Sequence, residues 1–104
     1  EILQAVYRSI ADRSRALGVR PVWIFLPQVR EGSWQEETPE AVRAAQAAGF
    51  HVIDIADVYK SHDIAILRLA EWDDHPNALG HRLVAERLYR EIAAAPETAE
   101  AFKR

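Results

Sequence analysis

Helices and strands alternate along this chain, which predicts an α/β layer fold. Two apolar runs, PVWIFLP (21–27) and FHVIDIA (50–56), carry that reading. Both are short, continuous and rich in β-branched and aromatic residues, as strands buried on both faces are. Helical patterns flank both runs. Strands separated by a helix pair in parallel through a crossover.

The elements follow in order. Residues 1–17 read as a helix, because Leu3, Val6, Tyr7, Ile10, Ser14 and Leu17 recur at three- and four-residue spacing and Gly18 supplies a stop. The first strand, 21–27, has a proline at each end. QVREGSWQEE (28–37) is a polar loop. A helix over 38–49 starts with Thr38 as N-cap and Pro39 at the first helical position, and ends at Gly49. The second strand is 50–56, followed by an irregular stretch, 57–63. IAILRLA (64–70) fits either a strand or a short helix. Asn77 caps a helix from about 78 to 94, with Leu79, Leu83, Val84, Leu88 and Ile92 as its apolar stripe. Gly80 within that helix costs about 1 kcal/mol relative to alanine, so it predicts close approach of another backbone. Pro96 ends the helix before a charged tail.

With 104 residues the chain has the length of a single domain, 1–104. Its 49% apolar and 28% charged residues describe a folded globular chain rather than a disordered one. A net charge of −3 without a basic cluster argues against nucleic-acid binding. The absence of cysteine excludes disulfides and thiolate chemistry within these residues, and leaves the compartment unknown. No apolar run is long enough to span a bilayer, and the N-terminus shows no signal-peptide pattern. Two strands, or three at most, make a meagre parallel sheet with an open edge, so the chain reads as the end of a larger sheet that associates with itself or with a missing half.

The chemistry concentrates in EWDDHPNALGH (71–81). His75 is biased towards an extended backbone by Pro76 and stands just before a helix, on a segment leaving the sheet. An imidazole beside a carboxylate is the base half of a nucleophilic triad. The plainer alternative is a surface histidine beside two solvated aspartates. His81 with Asp73, Asp74 and His75 has the wrong spacing for a helical metal pair, so no metal is expected, and no cofactor either. The string Ser61-His62-Asp63 carries no triad, because triad members converge in space rather than in sequence. Ser33 lacks the strand-turn-helix setting of a nucleophile elbow. Trp34 and Trp72 are open to partial exposure and to lining an apolar pocket, but each is expected to pack in the core or against a partner.

The stretch DDHPNALGH (73–81) resembles the last block of the SGNH, or GDSL, ester-hydrolase family, in which an Asp and a His precede the closing helix. The order of the remaining elements, with a strand ending in Leu-Pro and the run GFHVIDIADVY (49–59), is similar to the C-terminal half of such a domain. The resemblance implies a three-layer α/β/α, flavodoxin-like fold with a parallel sheet, of which this chain is the C-terminal portion. It implies hydrolysis of a small ester by a serine nucleophile, with His75 as general base and a nearby aspartate orienting it. The Gly-Asp-Ser block, the glycine block and the Gly-x-Asn-Asp block are not in this sequence, so the nucleophile and oxyanion donors are expected on a missing N-terminal part, and the chain alone is expected to be inactive. The usual Asp-x-x-His spacing points to position 72, which is Trp72 here. Asp73 and Asp74 remain. In an extended segment, residues two apart share a face, so Asp73 is the expected partner of His75, and a tight turn would select Asp74 instead. The alternative is a non-catalytic interaction module that binds another chain through its open sheet edge.

Overall fold

The computed structural model describes residues 1–35 and 39–101. Helix α1 spans Ile2–Ala16. Beyond it, Gly18 takes φ +70°, and the N–H groups of Gly18 and Val19 return to the carbonyls of Arg15 and Ser14. That is a Schellman ending, for which glycine is suited because it lacks a Cβ. Strand β1, Val22–Phe25, follows. Helix α2, Glu40–Ala48, has Pro39 at its N-cap rather than at its first helical position, and closes with the same bond pattern around Gly49. Thr38, the expected cap, lies outside the described residues. Arg15 reaches from α1 to donate to the carbonyls of Ala48 and Gly49 at 3.2 and 2.8 Å, tying the two helix ends together.

Strand β2, His51–Asp54, pairs in parallel with β1, from Val22 opposite His51 to Phe25 opposite Asp54. Chain direction and crossover thus agree with the sequence pattern. The burial does not. Ile53 is buried, but Ile24 is 40% exposed and Asp54 is exposed. Among the described residues β1 pairs only with β2, and Ile24 is left partly open to solvent.

The stretch left ambiguous, 64–70, divides into two elements. Ile64–Ile66 forms a single 3-10 turn capped by the Asp63 carboxylate, which accepts from the Ala65 N–H at 3.0 Å. Strand β3, Arg68–Ala70, then turns through Glu71 and Trp72 into strand β4, Asp73–Pro76. The two are antiparallel and form a separate sheet, with an irregularity in register between Arg68 and Ala70. The architecture is therefore mixed α/β, with a parallel pair and a hairpin, where the sequence suggested parallel strands alone. A hairpin turn of Glu-Trp carries none of the Asn-Gly or Gly signals that mark such turns.

Helix α3 runs from Ala78 to Ala94, and the short α4 from Pro96 to Ala101. Leu83 and Val84 of α3 pack on a buried cluster of Val29, Tyr59, Ile64 and Leu67, which Trp34 and Val58 also cover. Burial pushes the Tyr59 phenol above its usual pKa. This core is built from loop and turn residues and lies under the hairpin. A second buried group, Ala11, Val42, Ala44 and Ala45, belongs to the packed helices α1 and α2. Tyr7 meets Trp23 and Phe50 at centroid distances of 6.2 and 5.9 Å, seating α1 on the sheet. The inward face of α1 is thus narrower than its apolar periodicity, and Val6, Ile10 and Leu17 remain exposed.

Gly80 is the tightest point. A Cβ there would stand 2.7 Å from the Pro76 Cβ and 3.0 Å from the Leu67 carbonyl oxygen. Neither neighbour is the free end of a flexible chain. Gly80→Ala is expected to lower stability by about 1–3 kcal/mol, the overpacking cost exceeding the gain in helix propensity. Thermal and urea unfolding of the variant measure this, and a stabilised protein would contradict the packing.

Candidate functional site

Strand β4 positions the two residues singled out by the sequence. Pro76 keeps His75 extended, so Asp73 and His75 project to one side of the strand and Asp74 to the other. One oxygen of Asp73, Oδ1, accepts the His75 backbone N–H at 2.9 Å and meets the ring Nδ1 at 2.6 Å. The bonds act together: the backbone contact orients the carboxylate, and the carboxylate orients the ring.

Those bonds pull the Asp73 carboxyl below its ordinary pKa. The backbone N–H of His75 contributes most and the ring bond next, while partial burial opposes them. The carboxylate is therefore ionised at neutral pH and acts only as an acceptor. The proton between it and the ring must sit on Nδ1. In the neutral imidazole that leaves Nε2 bare, the tautomer a general base requires. The His75 side chain is 82% exposed, against 23% for Asp73. No described residue hydrogen-bonds Nε2.

Asp74 is engaged elsewhere. Its carboxylate stands 3.6 Å from an Arg68 guanidinium nitrogen, and its carbonyl accepts from the Val29 N–H at 2.9 Å. Arg68 also donates to the Glu71 carbonyl at 3.2 Å, closing the hairpin turn from beneath. The loop after β1 is thereby fastened to the hairpin at the residue between Asp73 and His75.

Asn77 secures the other end. Its side-chain oxygen accepts the Gly80 N–H at 3.0 Å, the capping role expected from sequence. Its Nδ2 donates to the carbonyls of Ile66 and Arg68 at 2.8 and 3.2 Å, and its own N–H reaches Leu67 at 2.7 Å. These cross-links, and the role of Arg68, were missed by sequence reasoning because they depend on the hairpin. The signal that existed was Gly80, whose missing side chain marks the contact with Leu67 and Pro76.

The remaining candidates lie apart from this constellation. Ser61 and His62 are exposed, and Asp63 caps the turn that follows it. His81 is exposed on α3. Among the described residues, no three His, Cys, Asp or Glu side chains are placed to hold a metal ion, and no helix is long and apolar enough to cross a membrane. Trp34 packs on the core, whereas Trp72 at the hairpin turn is 87% exposed and so is not a core residue. Ser33 is buried with an unpartnered hydroxyl. No family model matches the chain, and neither a curated protein nor a solved structure matches it.

The sign of the pH effect follows from the lowered Asp73 pKa. Its stabilising contacts are fully present above the unfolded-state value and are lost as pH falls through the lower folded value. Carbon-13 carboxyl titration of Asp73 should give a midpoint below the ordinary aspartate range. Since the backbone bond contributes most, His75→Ala should return the midpoint only part of the way. A complete return would show that the ring, not the backbone, controls the carboxylate.

Proposed function

We propose that this chain supplies the base half of a serine ester hydrolase of the SGNH type. The observation carrying the proposal is the Asp73–His75 contact, with Nδ1 held by the carboxylate and Nε2 open to solvent. His75 acts as general base towards a serine hydroxyl and returns the proton to the leaving alcohol, and Asp73 holds the tautomer and stabilises the imidazolium. The serine and the oxyanion donors come from outside these residues. Together they complete a three-layer α/β/α, flavodoxin-like domain in which β1 acquires a further parallel strand.

The polypeptide as its gene encodes it, assayed on p-nitrophenyl acetate, is expected to hydrolyse the ester and to be silenced by a fluorophosphonate. In it, Asp73→Asn and His75→Ala should each lower kcat by about 10⁴. Asp74→Asn should cost far less. The isolated 104 residues should show no activity above background. Turnover indifferent to His75, or an encoded polypeptide without a fluorophosphonate-reactive serine, defeats the proposal.

A second reading is favoured by a separate observation. Large apolar side chains are exposed on and just after β1, at Ile24 and Leu26, and on α1, at Val6 and Ile10, each at least 40%. The radius of gyration is 15.4 Å, against about 13 Å for a compact domain of this length. A non-catalytic module binding another chain along the β1 edge accounts for both features. Sedimentation velocity of the isolated chain should reveal concentration-dependent association, which Ile24→Lys weakens. A monomer at millimolar concentration excludes association of the chain with itself.

A further inference from the structure

We propose that the outer face of α3 is a docking surface for a second copy of this chain, with the two helices packed antiparallel about a twofold axis level with Val84.

The face has the pattern of a helix–helix seam. Leu83, Val84, Leu88 and Ile92 of α3 are turned inward and half-buried, whereas Leu79, Arg82, Glu86, Tyr89 and Ala93 are exposed. The exposed set recurs at spacings of three, four, three and four, the repeat by which one helix keeps a single line of residues against another. Leu79 is 40% exposed and Tyr89 is 75% exposed, so two large apolar bodies stand on that line. Beside Tyr89 the surface forms an open cavity of about 480 Å³ between Ala85, Glu86, Tyr89 and Arg90. A side chain of a facing helix enters a hole of four residues of this kind.

Charge decides what the facing helix is. Arg87 and Glu91, on the inward side, pair with each other, and Arg87 also pairs with Asp57. Among the described residues, Arg82 and Glu86 make no ion pair and no side-chain hydrogen bond. A parallel copy would set Arg82 against Arg82 and Glu86 against Glu86. An antiparallel copy centred level with Val84 sets Arg82 against the partner's Glu86, twice over by symmetry. The same register sets Leu79 against the partner's Tyr89 and brings it to the cavity. A shift by one layer in either direction places Arg82 opposite Ala93 or Leu79 and loses both charge pairs. The patch is therefore self-complementary in one register, as a closed twofold dimer requires. The charges fix orientation more than affinity. Apolar contact is limited to the two Leu79–Tyr89 layers, less than a standard interface of about 1,600 Å² offers. The expected Kd is accordingly on the order of 100 µM.

The test uses sedimentation velocity of the 104-residue chain in an Ile24→Lys background, which keeps the β1 edge out of the measurement. The reference chain should dimerise. Arg82→Glu and Glu86→Arg should each weaken the dimer about tenfold, because like charges then meet across the axis. An equimolar mixture of these two variants should restore the reference affinity, since one chain then offers two acids where the other offers two bases. The double variant should restore it too. Tyr89→Ala should weaken the dimer about fivefold. All three positions are exposed, so circular dichroism and urea unfolding of every variant should match the reference. Variants that associate as the reference does, or a mixture no tighter than its components, overturn the proposal. So does a monomer at millimolar concentration, which leaves the face to the helix of a different protein.

Discussion

Asn77 is the point at which three pieces of chain are fixed to one another. Its backbone and side chain bond to Leu67, Ile66, Arg68 and Gly80, so the 3-10 turn, the hairpin and the start of α3 share one anchor. The residues held by this anchor include Asp73 and His75, since it fixes the C-terminal end of β4, while Asp74 ties the strand to the loop after β1. Gly80 permits the arrangement by bringing α3 against Pro76 and the Leu67 carbonyl. Behind the anchor, Leu67 sits in the buried cluster with Val29, Tyr59 and Ile64. The exposed dyad is thus carried on a rigid base, and only the imidazole reaches into solvent.

The chemistry available to that dyad follows from a division of labour along β4. Alternation places Asp73 and His75 together and sends Asp74 to Arg68. Two carboxylates in adjacent positions therefore do different things without any difference in residue type. Asp73 sets the ring's tautomer, and Asp74 belongs to the structure that holds the hairpin to the loop after β1. Elsewhere, Arg15 ties the ends of α1 and α2 together, and Arg20, in the loop before β1, donates to the Glu97 carbonyl of α4. Arg87 bonds Glu91 within α3 and pairs with Asp57 at 3.0 Å, which keeps its guanidinium pKa raised and joins α3 to the turn after β2.

The helices and the parallel pair were legible because local rules govern them. Gly18 and Gly49 end helices where their backbones must be left-handed, and Val22–Phe25 and His51–Asp54 lie within the apolar runs. The hairpin was not legible. Pro76, paired aspartates and a Glu-Trp turn all argue locally against strands, and it is the packing of Leu67 and the bonds of Asn77 that override them. Burial was only partly legible for a related reason. The periodicity of α1 includes Val6, Ile10 and Leu17 as readily as Tyr7 and Ser14, and nothing local distinguishes a side chain that has a neighbour from one that lacks it. At the site, the pairing of Asp73 with His75 followed from strand alternation, whereas the unpaired hydroxyl of Ser33 has no trace in sequence.

The placement of the tryptophans has a spectroscopic consequence. Trp23 stacks on Phe25 with ring planes 19° apart, Trp34 leans on the core, and Trp72 stands almost free at the hairpin tip. The intrinsic emission of this chain is therefore a sum of two shielded fluorophores and one already in water. Unfolding reddens the first two and leaves the third nearly unchanged. A surface that closes over the hairpin does the opposite, turning Trp72 blue and dehydrating it while the interior signals stay still. One wavelength scan thus separates loss of the fold from capture of the dyad's face, with no label added to the molecule.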